Sequence, residues 1–400
     1  MIKFALITER KTPPDRRVVF SPKKLKEVVQ KFPGASFKVE SSPIRIFPDE
    51  DYKQAGFAVT DDISDCDVML GVKEVPIPAL IPNKKYFFFS HTYKKQFYNR
   101  DLLRAILKNN IELYDHEVIV KENGARLIGF GRYAGLVGTY NCFRALGLRN
   151  QLFDLSKAEN LSDLQALLSE LDKISIPPVK IVLSGSGKVA KGAMEILDYS
   201  KIPRVEIEDY LSKQFDKPVY CLVDVLDYNK KKDGQRASRK EFYSHPEKYG
   251  SNFMRFAMES DVFIAGHFYG DGAPVFFTRE QANSPEFKIK LIADISCDVN
   301  GPIASTIRPS TIAEPLYGYD PKTGTEVGFR KPKAITVMAV DNLPCELPKD
   351  ASEGFGEMFM KHVIPAFFNG DKDGILKRAK MTEKGQLTEG FKYLQDFVNE

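Results

Sequence analysis

The sequence predicts an α/β protein of two domains, each built on a parallel sheet, the two flanking a cleft. Three observations carry that reading. Short apolar runs alternate with amphipathic helical segments along most of the 400 residues, the rhythm of strand–helix–strand units. A glycine-rich loop, Ser184-Gly185-Ser186-Gly187-Lys188-Val189-Ala190, stands between an apolar run and a helical one. Several apolar runs also end in ionisable residues, at the edge where open parallel sheets hold their ligands.

Taken in order, residues 3–8 read as a strand. Ser21-Pro22 supplies a helix cap and a first-turn proline, and Leu25, Val28 and Val29 follow at helical spacing. The runs at 67–72 (DVMLGV) and 86–89 (YFFF) look like strands buried on both faces. Residues 102–107 read as helix and 111–114 as strand. Leu164, Leu167, Leu168 and Leu171 form an amphipathic stripe ahead of Pro177-Pro178. Then comes the most regular unit: strand 179–183, the glycine loop, helix 189–197 and strand 204–207. Strand-like runs recur at 262–265, 290–295 and 335–340. The polar stretch 213–252 reads as an insertion or a lid. The expected division is one domain of 1–130 plus about 338–400, and a second of 131–337 carrying that insertion.

Composition narrows the function classes. Lys+Arg number 58 against 54 Asp+Glu, a net +4 too dilute for a nucleic-acid surface. The five cysteines form no CxxC pair, which argues against a disulfide framework or a metal site and for a reducing, cytoplasmic-type compartment. No stretch approaches 18 continuous apolar residues, so no membrane span is expected. The sequence says nothing of oligomeric state.

The glycine loop fits GxGxxA. Gly185 permits a tight turn, Gly187 lets backbone approach a pyrophosphate, and Ala190 allows close helix–strand packing. Glu206 follows Gly185 by 21 residues, where a carboxylate accepts from the ribose hydroxyls of NAD and repels the 2′-phosphate of NADP. A Rossmann-like dinucleotide site follows, with NAD expected and NADP as the alternative. No GK[ST] is present in the loop, which excludes a phosphate-loop NTPase.

Ionisable groups end five apolar runs: Lys73-Glu74, His91 with Lys94, Glu117, Asp298, and Asp341-Asn342. Each alone reads as readily as a cap or a snorkelling side chain; as a set they predict a polar crevice. His91 follows four aromatics, and Lys73 ends another strand. A desolvated lysine near a cation can serve as a base near neutral pH. His116, His245, His267 and His362 keep a structural reading.

These residues resemble a known family. Arg17 in DRRVVFSP, Lys73-Glu74 in GVKEVP, His91 in FFFSHTYKKQ, Glu117 in LYDHE and the run ARLIGFGRYAGLVG resemble the alanine dehydrogenase/transhydrogenase group. Within it they resemble lysine-forming saccharopine dehydrogenase. FYSHPEKYGSNF, ADISCDVNG and AVDNLPCELPKDASEGFG look like the lysine–2-oxoglutarate reductase half of the bifunctional aminoadipic semialdehyde synthase. The resemblance implies two Rossmann-like domains and NAD(P)-dependent interconversion of saccharopine with lysine and 2-oxoglutarate, without a metal. It implies Lys73 as base and His91 as acid–base group, with Glu74 and Glu117 tuning them. Arg17, Lys94, Gln96, Arg126 and Phe130 would meet the small-molecule substrate. Gly185, Gly187, Lys188, Glu206, Phe268, Ile295, Val340, Asp341, Asn342 and Leu343 would meet the cofactor. Ala125 stands where some relatives carry arginine, and Arg132 adds a cation. Two rival readings stay open: an alanine dehydrogenase-like or other opine-type imine reductase, and a nucleotide-binding protein without turnover.

Overall fold

A computed structural model describes residues 1–400, in two units: Met1–Phe130 with Pro348–Glu400, and Gly131–Leu347.

The first unit is a six-stranded parallel sheet of β1 (Ile2–Leu6), β2 (Ala35–Glu40), β3 (Ala58–Thr60), β4 (Val68–Lys73), β5 (Lys85–Phe89) and β6 (Glu112–Asp115), ordered β3-β2-β1-β4-β5-β6. Alternate side chains leave each strand on opposite faces. Phe4, Leu6, Leu70 and Phe87 pack on Phe355 and Phe359 of the helix Pro348–His362. Ala5, Met69, Tyr86 and Phe88 face Leu103 and Ile106 of the helix Arg100–Lys108. Burial on both faces is why these runs are continuously apolar rather than alternating. Strand order reverses between β1 and β4, and a crevice beyond their carboxyl ends is where such sheets take ligands.

The second unit holds β7 (Lys180–Ser184), β8 (Val219–Val223), a ribbon of β9 (Asn229–Lys231) and β10 (Tyr249–Ser251), then β11 (Val262–Ala265), β12 (Leu291–Asp294), β13 (Leu316–Asp320), β14 (Thr325–Val327) and β15 (Ile335–Met338). Its seven-stranded sheet runs β14-β13-β15-β12-β11-β7-β8, parallel from β15 to β8 and antiparallel at β13 and β14. The helix Gly131–Asn150 crosses the helix Lys188–Tyr199 at very short range. A Cβ at Gly135 would lie 2.0 Å from the Val189 carbonyl oxygen, and one at Gly192 2.0 Å from that of Arg132. No helix is long and apolar enough to cross a membrane.

Three expectations change. The second unit extends to Leu347 rather than 337, because β15 and the bridge from Ser310 to Val340 tie that stretch to its sheet. Residues 204–207 are not a strand: Arg204 makes one isolated bridge to Tyr220, and Glu206 instead starts the helix Ile207–Ser212. The strand beside β7 is β8. It lies inside the supposed insertion 213–252, and Val219, Cys221 and Val223 are core residues. Only the rest of that stretch, around the β9–β10 ribbon, departs from the sheet.

Candidate active site

In the first unit the predicted polar residues stand on neighbouring strand ends. Lys73 closes β4 opposite Phe89 of β5, with a register shift between Leu70 and Lys73. Such a bulge re-aims the side chain that follows it. His91 lies two residues beyond Phe89, and Glu117 two residues beyond the end of β6.

Glu117 is the hub. Its buried carboxylate meets Lys94 Nζ at 3.1 Å and Arg126 Nη2 at 3.0 Å through Oε1, and His91 Nδ1 at 3.4 Å from Oε2. Burial opposes its charge, but the His91 contact and the two cations outweigh it and hold the Glu117 pKa down at about 2. The group is a permanent anion that gathers three nitrogen-bearing side chains. Arg126 also donates to the Tyr93 hydroxyl at 3.1 Å. Gln96 accepts from the Tyr98 hydroxyl. Glu74 pairs with Lys11.

A second cluster lies behind Lys73. Glu9, just past β1, accepts the backbone N–H of Val72 at 2.7 Å and of Lys73 at 2.8 Å, which pins the bulge. Burial, reinforced by the charge on Asp15, pushes Glu9 up to about 8, while the two N–H donors and Arg17 pull the other way. Arg17 is buried and grips Asp15 at both ends, Nε to Oδ1 at 3.0 Å and Nη2 to Oδ2 at 2.6 Å. It also lies 4.2 Å over the Phe130 ring. Burial works against the Asp15 charge, yet Arg17 keeps that carboxyl well below its ordinary range, with help from Lys73. The Asp15 grip makes Arg17 a strut as well as a cation. Glu9, Asp15, Lys11 and Tyr93 escaped the sequence reading. The first three share one charged loop after β1, the signal that could have found them.

The dinucleotide-type features lie in the second unit. Gly185 has φ +105°, and a Cβ there would sit 2.4 Å from the Gly266 carbonyl oxygen, so only glycine fits. A Cβ at Gly187 would meet no atom within 4 Å. That open side leaves room for an anion such as a pyrophosphate, at the start of a 12-residue helix whose N–H groups and dipole favour anions. Lys188 is exposed beside it. Gly185, Ser186, Arg204, Glu206, Asp224 and Arg239 line one cavity of about 260 Å³. Glu206 therefore reaches the loop even though it ends no strand. At the ends of β12 and β15, Ile295, Val340 and Leu343 are buried, with Ile295 and Leu343 packed near Gly138; what they can offer a ligand is backbone. Asp341 and Phe268 are exposed and Asn342 half-buried. His267 is buried with its Nδ1 3.2 Å from Ser184 Oγ, in keeping with a structural part.

Residues 5–137 match a family model described as the alanine dehydrogenase/PNT N-terminal domain. The alpha-aminoadipic semialdehyde synthase of Arabidopsis thaliana is 30% identical over 397 residues, covering 89% of this chain and 37% of that protein. The mitochondrial enzyme of that name from Mus musculus is 29% identical, covering 95% and 46%. The chain thus spans less than half the length of these relatives. The NAD(+), L-lysine-forming saccharopine dehydrogenase of Candida glabrata is 28% identical over 374 residues, covering 90% of this chain and 93% of that one. Among solved structures, an L-alanine dehydrogenase superposes with TM-score 0.66 at 15% identity, covering 99% of this chain and all of the other. A transhydrogenase from Sinorhizobium meliloti gives 0.62 at 16%, covering 96%. At those identities the structural likeness concerns the fold, which is that of Rossmann-like two-domain enzymes.

Proposed function

From homology to lysine-forming saccharopine dehydrogenases over most of the chain, with an alanine dehydrogenase/PNT-type N-terminal domain at 5–137, we propose that this protein is an NAD(P)-dependent oxidoreductase acting on the CH–NH bond of saccharopine. The reaction is saccharopine, water and oxidised dinucleotide giving lysine, 2-oxoglutarate, reduced dinucleotide and a proton, or its reverse.

The observation that carries this reading is the cluster on adjacent strand ends: Lys73, His91 and Glu117 with Lys94, Arg126 and Arg17 close by. Saccharopine carries three carboxylates and two amines, so its site needs several cations as well as a proton acceptor. Lys94, Gln96 and Arg126 suit substrate carboxylates, with Arg17 and Phe130 forming the wall behind. Lys73 takes the proton from the secondary amine. His91, held toward the Glu117 carboxylate, moves protons to and from the water and the carbinolamine during hydrolysis of the imine. Glu74, paired with Lys11, keeps the charge around Lys73 balanced.

The hydride acceptor is a nicotinamide dinucleotide, which carries the redox step. Gly185, Gly187, Lys188 and Glu206 fit its pyrophosphate and adenosine ribose; Phe268, Ile295 and Val340, Asp341, Asn342 and Leu343 are assigned to the nicotinamide end. NAD is the expected form, since Glu206 shares the cavity beside Gly185. Arg204 and Arg239 in that cavity keep NADP as the alternative. The five thiols are unpaired, which suits a reducing compartment, and the partners are small molecules rather than nucleic acid.

Steady-state rates with saccharopine, with alanine, and with lysine plus 2-oxoglutarate, each with NAD and NADP forms, test the proposal. Turnover of alanine but not saccharopine, or of neither, refutes it.

A further inference from the structure

We propose that Asp115 is a positioning residue for the acid–base chemistry, a buried clamp that sets His91 and Glu117 at working distance from one another. The inference deepens the proposed reaction and rests on it, but the clamp itself is read from geometry.

Asp115 ends β6 and is wholly shielded from solvent. It has no cationic partner at hydrogen-bond distance; what it holds is mostly backbone. Its Oδ2 accepts from the Ser90 N–H at 2.9 Å, the Ser90 hydroxyl at 2.5 Å and the His91 N–H at 3.1 Å. Its Oδ1 accepts from the Glu117 N–H at 2.7 Å. One carboxylate thus binds the main chain of both residues whose side chains meet at 3.4 Å, His91 Nδ1 and Glu117 Oε2.

The hold fixes His91 in an uncommon conformation. Its backbone is left-handed, φ 56° and ψ 9°, a region few non-glycine residues enter, histidine among the more frequent of them. The carboxylate fixes the N–H of His91, while Ser90 is locked from both sides: its carbonyl accepts the Asn99 amide at 2.6 Å, and its hydroxyl accepts the Thr92 N–H at 3.2 Å. The chain reverses at His91 directly after β5, which turns the imidazole across to the end of β6. An ordinary capping aspartate serves the N–H groups of its own segment. Asp115 serves its own segment and also the end of the next strand.

Asparagine has the same shape but only one accepting end, so Asp115→Asn sets an NH₂ against N–H donors and must release one side of the clamp. We expect kcat for saccharopine to fall on the order of 10–100-fold, the scale of a misplacement near 1 Å, with KM for the dinucleotide unchanged. A residue that acts through His91 loses its effect once the imidazole is gone. In a His91→Gln background the same substitution should therefore change kcat by less than about twofold. Full multiplicative loss in that background overturns the proposal. If Asp115→Asn does not fold, Ser90→Ala removes the hydroxyl that donates to Asp115 and accepts from Thr92 and enters the same cycle, with an expected loss of about 3–10-fold, the scale of one net hydrogen bond.

Amide hydrogen exchange decides the clamp without any turnover. In Asp115→Asn the His91 and Glu117 amides should exchange at least tenfold faster, while Ile181 and Val182 in the other unit and Phe4 and Leu70 in the same sheet stay protected. Unchanged protection at His91 and Glu117 refutes the clamp, and so does a uniform loss across the sheet, which would mark Asp115 as merely structural. Absence of saccharopine turnover in the wild-type protein, with the exchange result as expected, would refute the reaction and leave the clamp standing.

Discussion

His116 gives a test in which the magnitude follows from the structure. It is fully buried among Phe89, Phe355 and Phe359, whose ring centres lie 5.0, 5.0 and 5.8 Å from its own. Its Nε2 lies 2.8 Å from the Gly71 carbonyl oxygen, and Nδ1 has no partner. The neutral ring donating from Nε2 satisfies this arrangement; a second proton on Nδ1 would find no acceptor. Burial accordingly pushes the His116 pKa from 6.5 down to about 4, only partly offset by the Gly71 hydrogen bond. The sign follows from the proton count. Between those values the unfolded chain holds a proton that the folded one refuses, so stability falls as pH falls. Going from pH 7.5 to 4.5, this one group removes about 2.5 kcal/mol. His116→Leu deletes that dependence. At pH 7.5 the variant should be less stable by about 1–3 kcal/mol, because the Gly71 carbonyl loses its donor. By pH 4.5 the gap between variant and wild type should have shifted in the variant's favour by about 2.5 kcal/mol, or about 70-fold in protection factor. Protection of the Leu70 and Phe87 amides, in β4 and β5, reads this unit alone, which matters in a two-unit chain where a single unfolding midpoint is ill-defined. A gap of equal size at both pH values would show that His116 stays neutral in the unfolded chain too, or finds an acceptor when charged, and the reasoning would fail.

Three other perturbations follow from the sites. Lys73→Met should lower kcat for saccharopine by roughly 10²–10⁴ while leaving the dinucleotide Kd unchanged, since the glycine loop belongs to the other unit; near-wild-type turnover would move the base to Glu74 or Glu117. Glu206→Ala should weaken NAD binding by about 10–100-fold in calorimetry, the worth of charge-assisted hydrogen bonds, and relax discrimination against NADP; a wild-type preference for NADP of tenfold or more would overturn the assignment. Gly192→Ala places a methyl 2.0 Å from the Arg132 carbonyl oxygen, so the two helices must part, at a cost of about 1–3 kcal/mol. Unchanged amide protection of Ile181 and Val182, in the sheet of the same unit, would mean that this crossing is looser than its geometry.

What could be read from the sequence, and what could not, divides along one physical line. Lys73, His91 and Glu117 were legible because a buried strand leaves its apolar run only where the chain meets water or a ligand, and that change is written in adjacent residues. Glu206 is singled out by the sequence for a reason that is half wrong. Its spacing from the glycine loop was right, but Glu208 and Asp209 behind it are first-turn acids of a helix, the pattern a helix N-terminus favours, and they mark the end of extended chain rather than its continuation. β8 was missed because its five residues sit between polar flanks, so a window wide enough to show the insertion hides the strand. The helix Gly131–Asn150 was missed for the opposite reason: glycines at 131, 135, 138 and 147 argue against helix by propensity, yet Gly135 is what allows the close crossing that tertiary packing rewards. Glu9 and Asp115 show the deeper limit. Each is an acid whose main partners are backbone N–H groups on another strand, 63 and 64 residues away for Glu9 and up to 25 for Asp115. Every residue offers an N–H, so its owner leaves no chemical mark in the sequence; only the fold says which N–H groups an acid will meet. The residues proposed to do chemistry at this site are therefore visible from composition and position, whereas those proposed to aim them become visible only once β1, β4, β5 and β6 lie side by side.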